Sequence, residues 1–450
     1  MIAFGSSIGT GLFLGSADSI NYAGPAVLIS FAIVGVIVYF LMRMLGEMAV
    51  EHPVSGSFSA YSREYIGRRA GFITGWNWWF TTIVVGMLEL TAMGTFLDYW
   101  FPQIPHWLTA LVSLVIVVAL NVLNVGVFAE AEYWLSLAKV VALVLMILLG
   151  LFLVLGLGSE PAIGAQHLTD HGGFMPNGPS GVLFALVAVT FTFGGVMSIG
   201  TAAGETDNPR KSIPKAVNSV IWRILVFYMG GIGTILLLAP WNEQATNESP
   251  FIRVLSGVGF DGAATALNVI IIIAVASVLN TMTYSGARTL RDLARNGQAP
   301  PFLAATSERG LPLRALLFNA ALMGTVVLLN FFFEGKIFTI LLAIIVGTEL
   351  ITWAGICVSH LVFRRRENPD GTQSSFPAPL YPAANYICIA FFIIVLILMG
   401  ILPEYRMGLL TLFGWTLALG VIWQFKLRHD RRHPELADNR TTHDAARTTA

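Results

Sequence analysis

The sequence predicts an all-α integral membrane protein of about twelve transmembrane helices, with the first and sixth interrupted and related by an inverted repeat. Three observations carry that expectation. Of the 450 residues, 55% are hydrophobic and only 12% charged, and the mean hydropathy is +0.72; that is too little polar surface to coat a water-soluble particle. Apolar stretches of about 20 residues, the length a span requires, recur along the whole chain. Two glycine-rich breaks then spell nearly the same letters, GSSIGTG at 5–11 and SIGTA at 198–202 inside FTFGGVMSIGTAAGE.

The spans fall at 1–20, 24–49, 71–97, 107–127, 131–156, 180–206, 213–239, 262–287, 313–333, 336–362, 381–402 and 405–426. Only Met1 to Phe4 precede the first break, about 6 Å of helix at 1.5 Å per residue, so the natural start is expected upstream of Met1. A signal peptide is not expected, because a charged leader region and a cleavage site are both missing. FPQIPHW at 101–107 reads as a proline-capped outer turn. The segment 156–180 has no Lys or Arg and reads as an outer loop. The expected organisation is a single membrane domain over 1–426, with a first repeat at 1–156, a second at 180–362 and two accessory helices at 381–426. The polar tail 427–450 is expected to be disordered.

Positive charge concentrates on the cytoplasmic side of membrane proteins. With the N-terminus inside, the cytoplasmic segments hold Arg63, Arg68, Arg69, Arg210, Lys211, Lys215, Arg288, Arg291, Arg295, Arg309, Arg314, Arg364, Arg365, Arg366 and the basic residues from Lys426 onward. The outer segments hold only Arg253, Lys336 and Arg406. Both termini are therefore expected in the cytoplasm. The zero net charge hides this asymmetry and gives no reason to expect a nucleic-acid partner. Cys357 and Cys388 both lie in apolar runs, which argues against a disulfide framework or a metal cluster. GxxxxGK[ST] is missing, which argues against direct ATP coupling. No cofactor is expected.

Glycine weakens a helix, and freed backbone groups in hydrocarbon cost several kcal/mol unless they face protein or water. The breaks around Gly5, Gly9 and Gly11, and around Gly194, Gly195, Gly200 and Gly204, therefore ask for a reason. Spans one and six cross in opposite directions, as expected of inverted repeats that hold a substrate near the midplane. The arrangement suits a zwitterion: amides near Thr10 and Gly11 to hold a carboxylate, and carbonyls near Ser7 and Phe193 to hold an ammonium group. The plainer alternative is close helix packing through small residues.

GSSIGTGLFLGSA at 5–17, LGEMAVEHPVSGSFSAY at 45–61, GWNWW at 75–79, FGGVMSIGTAAGETDNPRKSIPKAVNSVIWRILVFY at 193–228 and SHLVFRRR at 359–366 resemble bacterial amino acid permeases of the amino acid–polyamine–organocation superfamily. The resemblance runs from Gly5 to about Arg428. It implies a five-plus-five inverted repeat in the bacterial inner membrane, importing an amino acid with protons. GWNWW, LELTAMG and DHGGFMPNG look most like the aromatic and neutral amino acid permeases, with proline, histidine and threonine permeases close by. Carried over, Ser7, Ile8, Gly9, Thr10 and Gly11 would bind the α-carboxylate and α-amine. Phe191, Phe193, Gly194 and Gly195 would form the facing half, with a ring closing over the ligand. Lys139 matches a proton-carrying lysine of sodium-independent members, with Ser277 and Asn280 near it.

Lys139 also stands out without the resemblance. It is the only formally charged residue between Glu132 and Glu160, about 12 Å into its helix, where a charge is costly and points to function. Burial penalises its charged form, so it can exchange a proton as the cavity opens to either side; alternatively it snorkels to the interface. Arg43 reads as a snorkelling residue with Glu47 four positions on, and Arg223 as the structural partner of a carboxylate such as Glu205. Glu89, where the family commonly has an acid, suits coupling or helix pinning. Met197 stands where relatives often have glutamate, and Glu349 where they tend to be apolar; Glu349 is expected to replace that acid in part, or else to make a polar helix contact. Trp76, Trp78 and Trp79 read as interface anchors, and His52 as a turn residue. His106, His167 and His171 are expected in water. A sodium-coupled or exchange carrier of the same architecture is the main rival, opposed by Lys139. A channel would want filter motifs and a membrane enzyme a cluster of reactive side chains.

Overall fold

The computed structural model describes residues 9–54, 57–123, 126–157, 162–197, 208–244, 249–257, 261–307, 310–333, 335–367 and 374–432. Among them every regular element is helical. Ten helical stretches are long and apolar enough to cross a membrane: Gly15–Glu51, Arg68–Leu97, Ser136–Val154, Gly178–Val196, Arg210–Leu238, Gly262–Arg295, Leu313–Phe332, Ile337–Glu367, Ala383–Ile401 and Pro403–Arg428. His106–Val122 is apolar but shorter.

The difference from the twelve expected spans has two sources. Gly15–Glu51 takes in the end of the first expected span, from residue 15, together with the whole of the second, and His106–Val122 stands for the fourth. Gly15–Glu51 is itself interrupted at Gly24, whose φ of 61° and ψ of −144° lie outside the helical region. Pro25 follows, and Pro176 crowds the space that a side chain at position 24 would need. Glycine is thus required at this corner.

In chain order the principal helices are α1 (Thr10–Phe13), α2 (Gly15–Ala23), α3 (Val27–Glu51), α4 (Arg68–Leu97), α5 (His106–Leu123), α6 (Gly126–Val154), α7 (Gly178–Thr192), α8 (Pro209–Arg223), α9 (Gly231–Leu238), α10 (Pro250–Gly257), α11 (Asp261–Arg295), α12 (Leu313–Phe332), α13 (Ile337–Glu367), α14 (Ala383–Ile401) and α15 (Arg406–Arg432). Proline opens α8, where its missing N–H costs nothing. Arg364, Arg365 and Arg366 close α13, where cations suit the helix dipole. Helix α15 continues to Arg432, past the boundary expected at 426.

Burial sorts the helices into layers. The apolar windows of α4 and α7 are 72% buried, against 22% in α6 and 28% in α15. Helix α4 packs against α5, α11 and α13, and α2 lies along α7. The outer helices expose large apolar side chains such as Val115, Leu120, Leu145, Leu148, Leu417 and Phe425, which is the surface a lipid environment calls for.

Several expectations for individual residues need correcting. Trp78 and Trp79 are core residues rather than interface anchors: both are buried, and Trp79 donates to Asn319 Oδ1 at 3.0 Å. His106 is tied to Asp98 Oδ2 at 2.6 Å and joins α4 to α5. Arg43 lies 3.8 Å from the centre of the Phe376 ring and bonds to Asn218 Oδ1. Arg364 is not a loop cation. It is 4% exposed and reaches Glu47 Oε1 at 2.9 Å, while His360 Nε2 and the Ala378 amide reach Glu47 Oε2 at 3.0 and 2.8 Å. This network joins α3, α13 and the segment leading into α14. Glu205 and the Arg223 side chain lie outside the described residues.

Candidate functional site

Among the described residues, each glycine-rich stretch coincides with a helix end. Helix α1 begins after Gly9, whose backbone is extended at φ −149° and ψ −158°. The Thr10 and Gly11 amides open its first turn and so have no acceptor within the helix. Helix α7 stops at Thr192, and a 3₁₀ turn over Gly194–Met197 follows.

Helices α1 and α2 run antiparallel to α7 along a seam of small residues. A Cβ on Gly11 would lie 3.0 Å from Thr192 Cα, one on Gly15 3.0 Å from the Phe191 ring, and one on Gly181 only 2.4 Å from the Tyr22 carbonyl oxygen. Rising numbers on one strand of the seam meet falling numbers on the other. Thr192 Oγ1 also donates to the Gly11 carbonyl at 3.3 Å, and Tyr228 donates to the Thr192 carbonyl at 3.3 Å. These contacts are those of the plainer explanation for the glycines, close helix packing through small residues.

A buried polar chain starts at the α1 break. Thr10 Oγ1 donates to Glu89 Oε2 on α4, and Glu89 is electrostatically coupled to Lys139 on α6. Lys139 is 0% exposed and donates to Ser277 Oγ on α11 at 2.9 Å. Next to Ser277, Val278 Cγ2 lies 3.2 Å from the position of a Cβ on Gly9, which closes the circuit back to α1. Asn121 on α5 donates to Asn280 Oδ1 at 2.6 Å. Four candidates from four distant parts of the sequence, Thr10, Glu89, Lys139 and Ser277, therefore form one cluster. Lys139 is fully buried, which opposes snorkelling.

A second buried carboxylate faces the α7 break. Glu349 Oε1 lies 3.1 Å from the position a Cβ on Gly194 would take. The indole of Trp353, one turn along α13, acts on this carboxylate, yet neither Glu349 Oε2 nor Trp353 Nε1 completes a hydrogen bond of normal geometry. Glu349 is thus a buried acid with an unpartnered oxygen beside the end of α7. Among the described residues, no group of three His, Cys, Asp or Glu is placed to hold a metal ion.

The aromatic candidates divide. Phe191 lies over Gly11 and Gly15. Phe193 is fully buried and stacks on Tyr228, with ring centroids 4.5 Å apart, while Phe31 lies 6.1 Å away. Gly195 is half-buried beside Gly194. Ser7, Ile8 and the Met197 side chain lie outside the described residues. Asn121, Thr192 and Tyr228 were missed; an Asn inside the apolar run VVALNVL was the available signal for the first.

The family description "Amino acid permease" matches residues 1–433. The chain is 41% identical over 426 residues to "Aromatic amino acid transport protein AroP" of Escherichia coli strain K12, covering 95% of this chain and 93% of the relative. The AroP protein of Salmonella typhimurium strain LT2 is 41% identical over 421 residues, covering 94% and 92%. "Uncharacterized amino acid permease YtnA" of Bacillus subtilis strain 168 is 39% identical over 434 residues, covering 96% and 94%.

Proposed function

The chain belongs to the amino acid permease family, a family of multi-pass carriers rather than enzymes, and from that premise we propose that it imports an aromatic amino acid by proton symport and alternating access across a bacterial cytoplasmic membrane. The aromatic substrate follows from the AroP relatives. Twelve spans result when α1–α2 is counted apart from α3 and α5 is added; the 18 residues of α5 make about 27 Å of helix, close to the hydrocarbon thickness. The antiparallel seam between α2 and α7 supports the five-plus-five inverted repeat, and the Lys/Arg distribution supports cytoplasmic termini.

In this reading the amides of Thr10 and Gly11, with Ser7, Ile8 and Gly9 before them, hold the substrate carboxylate. The carbonyls ending α7, near Phe191, Phe193, Gly194 and Gly195, hold its ammonium group, and the Phe191 ring closes over it. Lys139 carries the coupled proton, with Ser277 and Glu89 within its electrostatic reach and Asn280 positioned from α5. Glu349 is the second proton or ammonium partner. A fixed ammonium at Lys139 disfavours a bound Na⁺ in the same place, which ranks proton coupling above the sodium-coupled or exchange alternatives.

The observation that carries the reading is the convergence of Thr10, Glu89, Lys139 and Ser277 beside the α1 break. Uptake of labelled phenylalanine into proteoliposomes, competed by all twenty amino acids at two pH values with and without Na⁺, tests it. Competition by tyrosine and tryptophan with a requirement for an inward proton gradient is expected. Competition led by proline, histidine or threonine would reassign the substrate, and an absolute need for Na⁺ would overturn the coupling.

A further inference from the structure

A cavity of about 320 Å³ opens at the far end of α2 from the polar cluster, lined by Asp18, Asn21, Tyr22, Thr339, Glu404 and Tyr405. Three parts of the chain converge on it: the last turns of α2, the first turn of α13 and the turn between α14 and α15. None of the lining residues is basic. Arg406, the next residue in sequence, spends its guanidinium on the Gly400 and Ile401 carbonyls at 3.0 and 3.3 Å. Among the described residues, neither Asp18 nor Glu404 has an ion-pair partner.

A second observation is independent of the two acids. Tyr405 is 1% exposed, its hydroxyl has no hydrogen-bond partner, and it lines the cavity with both carboxylates as electrostatic neighbours. A buried hydroxyl normally finds a partner. Asn21 donates its amide N–H to the Gln244 carbonyl at 3.2 Å and keeps Oδ1 as an acceptor. The Tyr22 and Tyr405 rings add faces of the kind that attract an organic cation. The volume exceeds what a bare ion needs, and the two acids with no basic residue in the lining repel a carboxylate.

We propose that this cavity is a capture site for the ammonium group of the amino acid before it reaches the broken helices, with Asp18 and Glu404 supplying the charge and Tyr405 Oη accepting a hydrogen bond from the ammonium. The proposal rests on the carrier reading above, in which this end of α2 faces outward. It adds a second binding step to that reading, selective for the amine and indifferent to the carboxylate.

The test uses the full chain in proteoliposomes importing labelled phenylalanine, with phenethylamine (amine without carboxylate) and 3-phenylpropionate (carboxylate without amine) as inhibitors. For the unmodified protein, phenethylamine should inhibit. In Asp18→Asn/Glu404→Gln, phenethylamine inhibition should weaken about tenfold and KM should rise several-fold, with 3-phenylpropionate inhibition unaltered. Tyr405→Phe keeps both charges and the ring, and should move the same two quantities about twofold to threefold. Unaltered KM and unaltered amine inhibition in both variants would overturn the site. If the unmodified protein imports no amino acid, the carrier reading fails by itself; calorimetric binding of phenethylamine to the purified protein, lost in the double variant, would still uphold the cavity.

Discussion

Lys139 Nζ donates a 2.9 Å hydrogen bond to Ser277 Oγ, joining α6 to α11 across 138 positions of sequence, with both residues buried. A charge there is tolerated only with partners or with a use. Lys139→Met keeps the length and removes the charge. Proton-driven accumulation should fall at least tenfold and lose its pH dependence, while counterflow exchange of preloaded substrate persists. Ser277→Ala should lower accumulation only a few-fold. Loss of accumulation and counterflow together, with the fold intact by size-exclusion chromatography, would make Lys139 a structural residue and not the coupling one.

Glu349 and Gly194 make a second pair open to test. Glu349→Gln preserves volume and removes the titratable group, so uptake against a gradient should be abolished and downhill flux retained. Undiminished accumulation with the ordinary pH profile would remove Glu349 from the coupling scheme. In Gly194→Ala the added methyl meets the tip of the Glu349 side chain at 3.1 Å, a contact that a few tenths of an ångström relieve. Thermal stability should change little and transport should fall, because the carboxylate is displaced from the break.

The sequence made the membrane character and the helix ends at Gly9 and Thr192 legible, because hydropathy and glycine are local signals. It also singled out Lys139 and Glu89, since a charge inside an apolar run is conspicuous wherever it points. The partners of those charges were less legible. Arg364 belongs by sequence to an RRR run that reads as a cytoplasmic loop, and only the continuation of α13 through Glu367 carries it inward to Glu47. His106 follows a proline turn and reads as exposed, whereas Asp98 eight residues earlier claims its ring. Phe193 reads with Phe191 as part of the half that faces the ligand, yet its stack on Tyr228 depends on a helix whose register the sequence does not reveal.

The seam between α2 and α7 predicts unequal costs for the same change at different glycines. At Gly181 a Cβ would lie 2.4 Å from the Tyr22 carbonyl oxygen, a backbone atom that cannot swing away, while Gly233 has open space. Gly181→Ala should therefore force the helices apart and destabilise by about 1–3 kcal/mol. Gly233→Ala, inside α9, should stabilise by up to about 1 kcal/mol through helix propensity. Thermal unfolding of the two variants in one detergent checks the sign of each. A harmless Gly181→Ala would mean that the seam is looser than these contacts require.

Glu47 is the hub of the buried network, accepting from Arg364, His360 and the Ala378 amide. Removing one member of such a network leaves an uncompensated charge, which costs about 3–5 kcal/mol. Glu47→Leu and Arg364→Met should each lower thermal stability sharply. The pair together removes both charges and should be less damaging than the sum of the singles, with a coupling of about 0.5–3 kcal/mol. His360→Gln keeps a hydrogen-bond donor towards Glu47 without a titratable ring, so it should cost less than either. Strict additivity in the cycle would mean that Glu47 and Arg364 act through separate contacts, with Arg364 held instead by the Ala378 carbonyl at 3.2 Å and the Tyr381 ring.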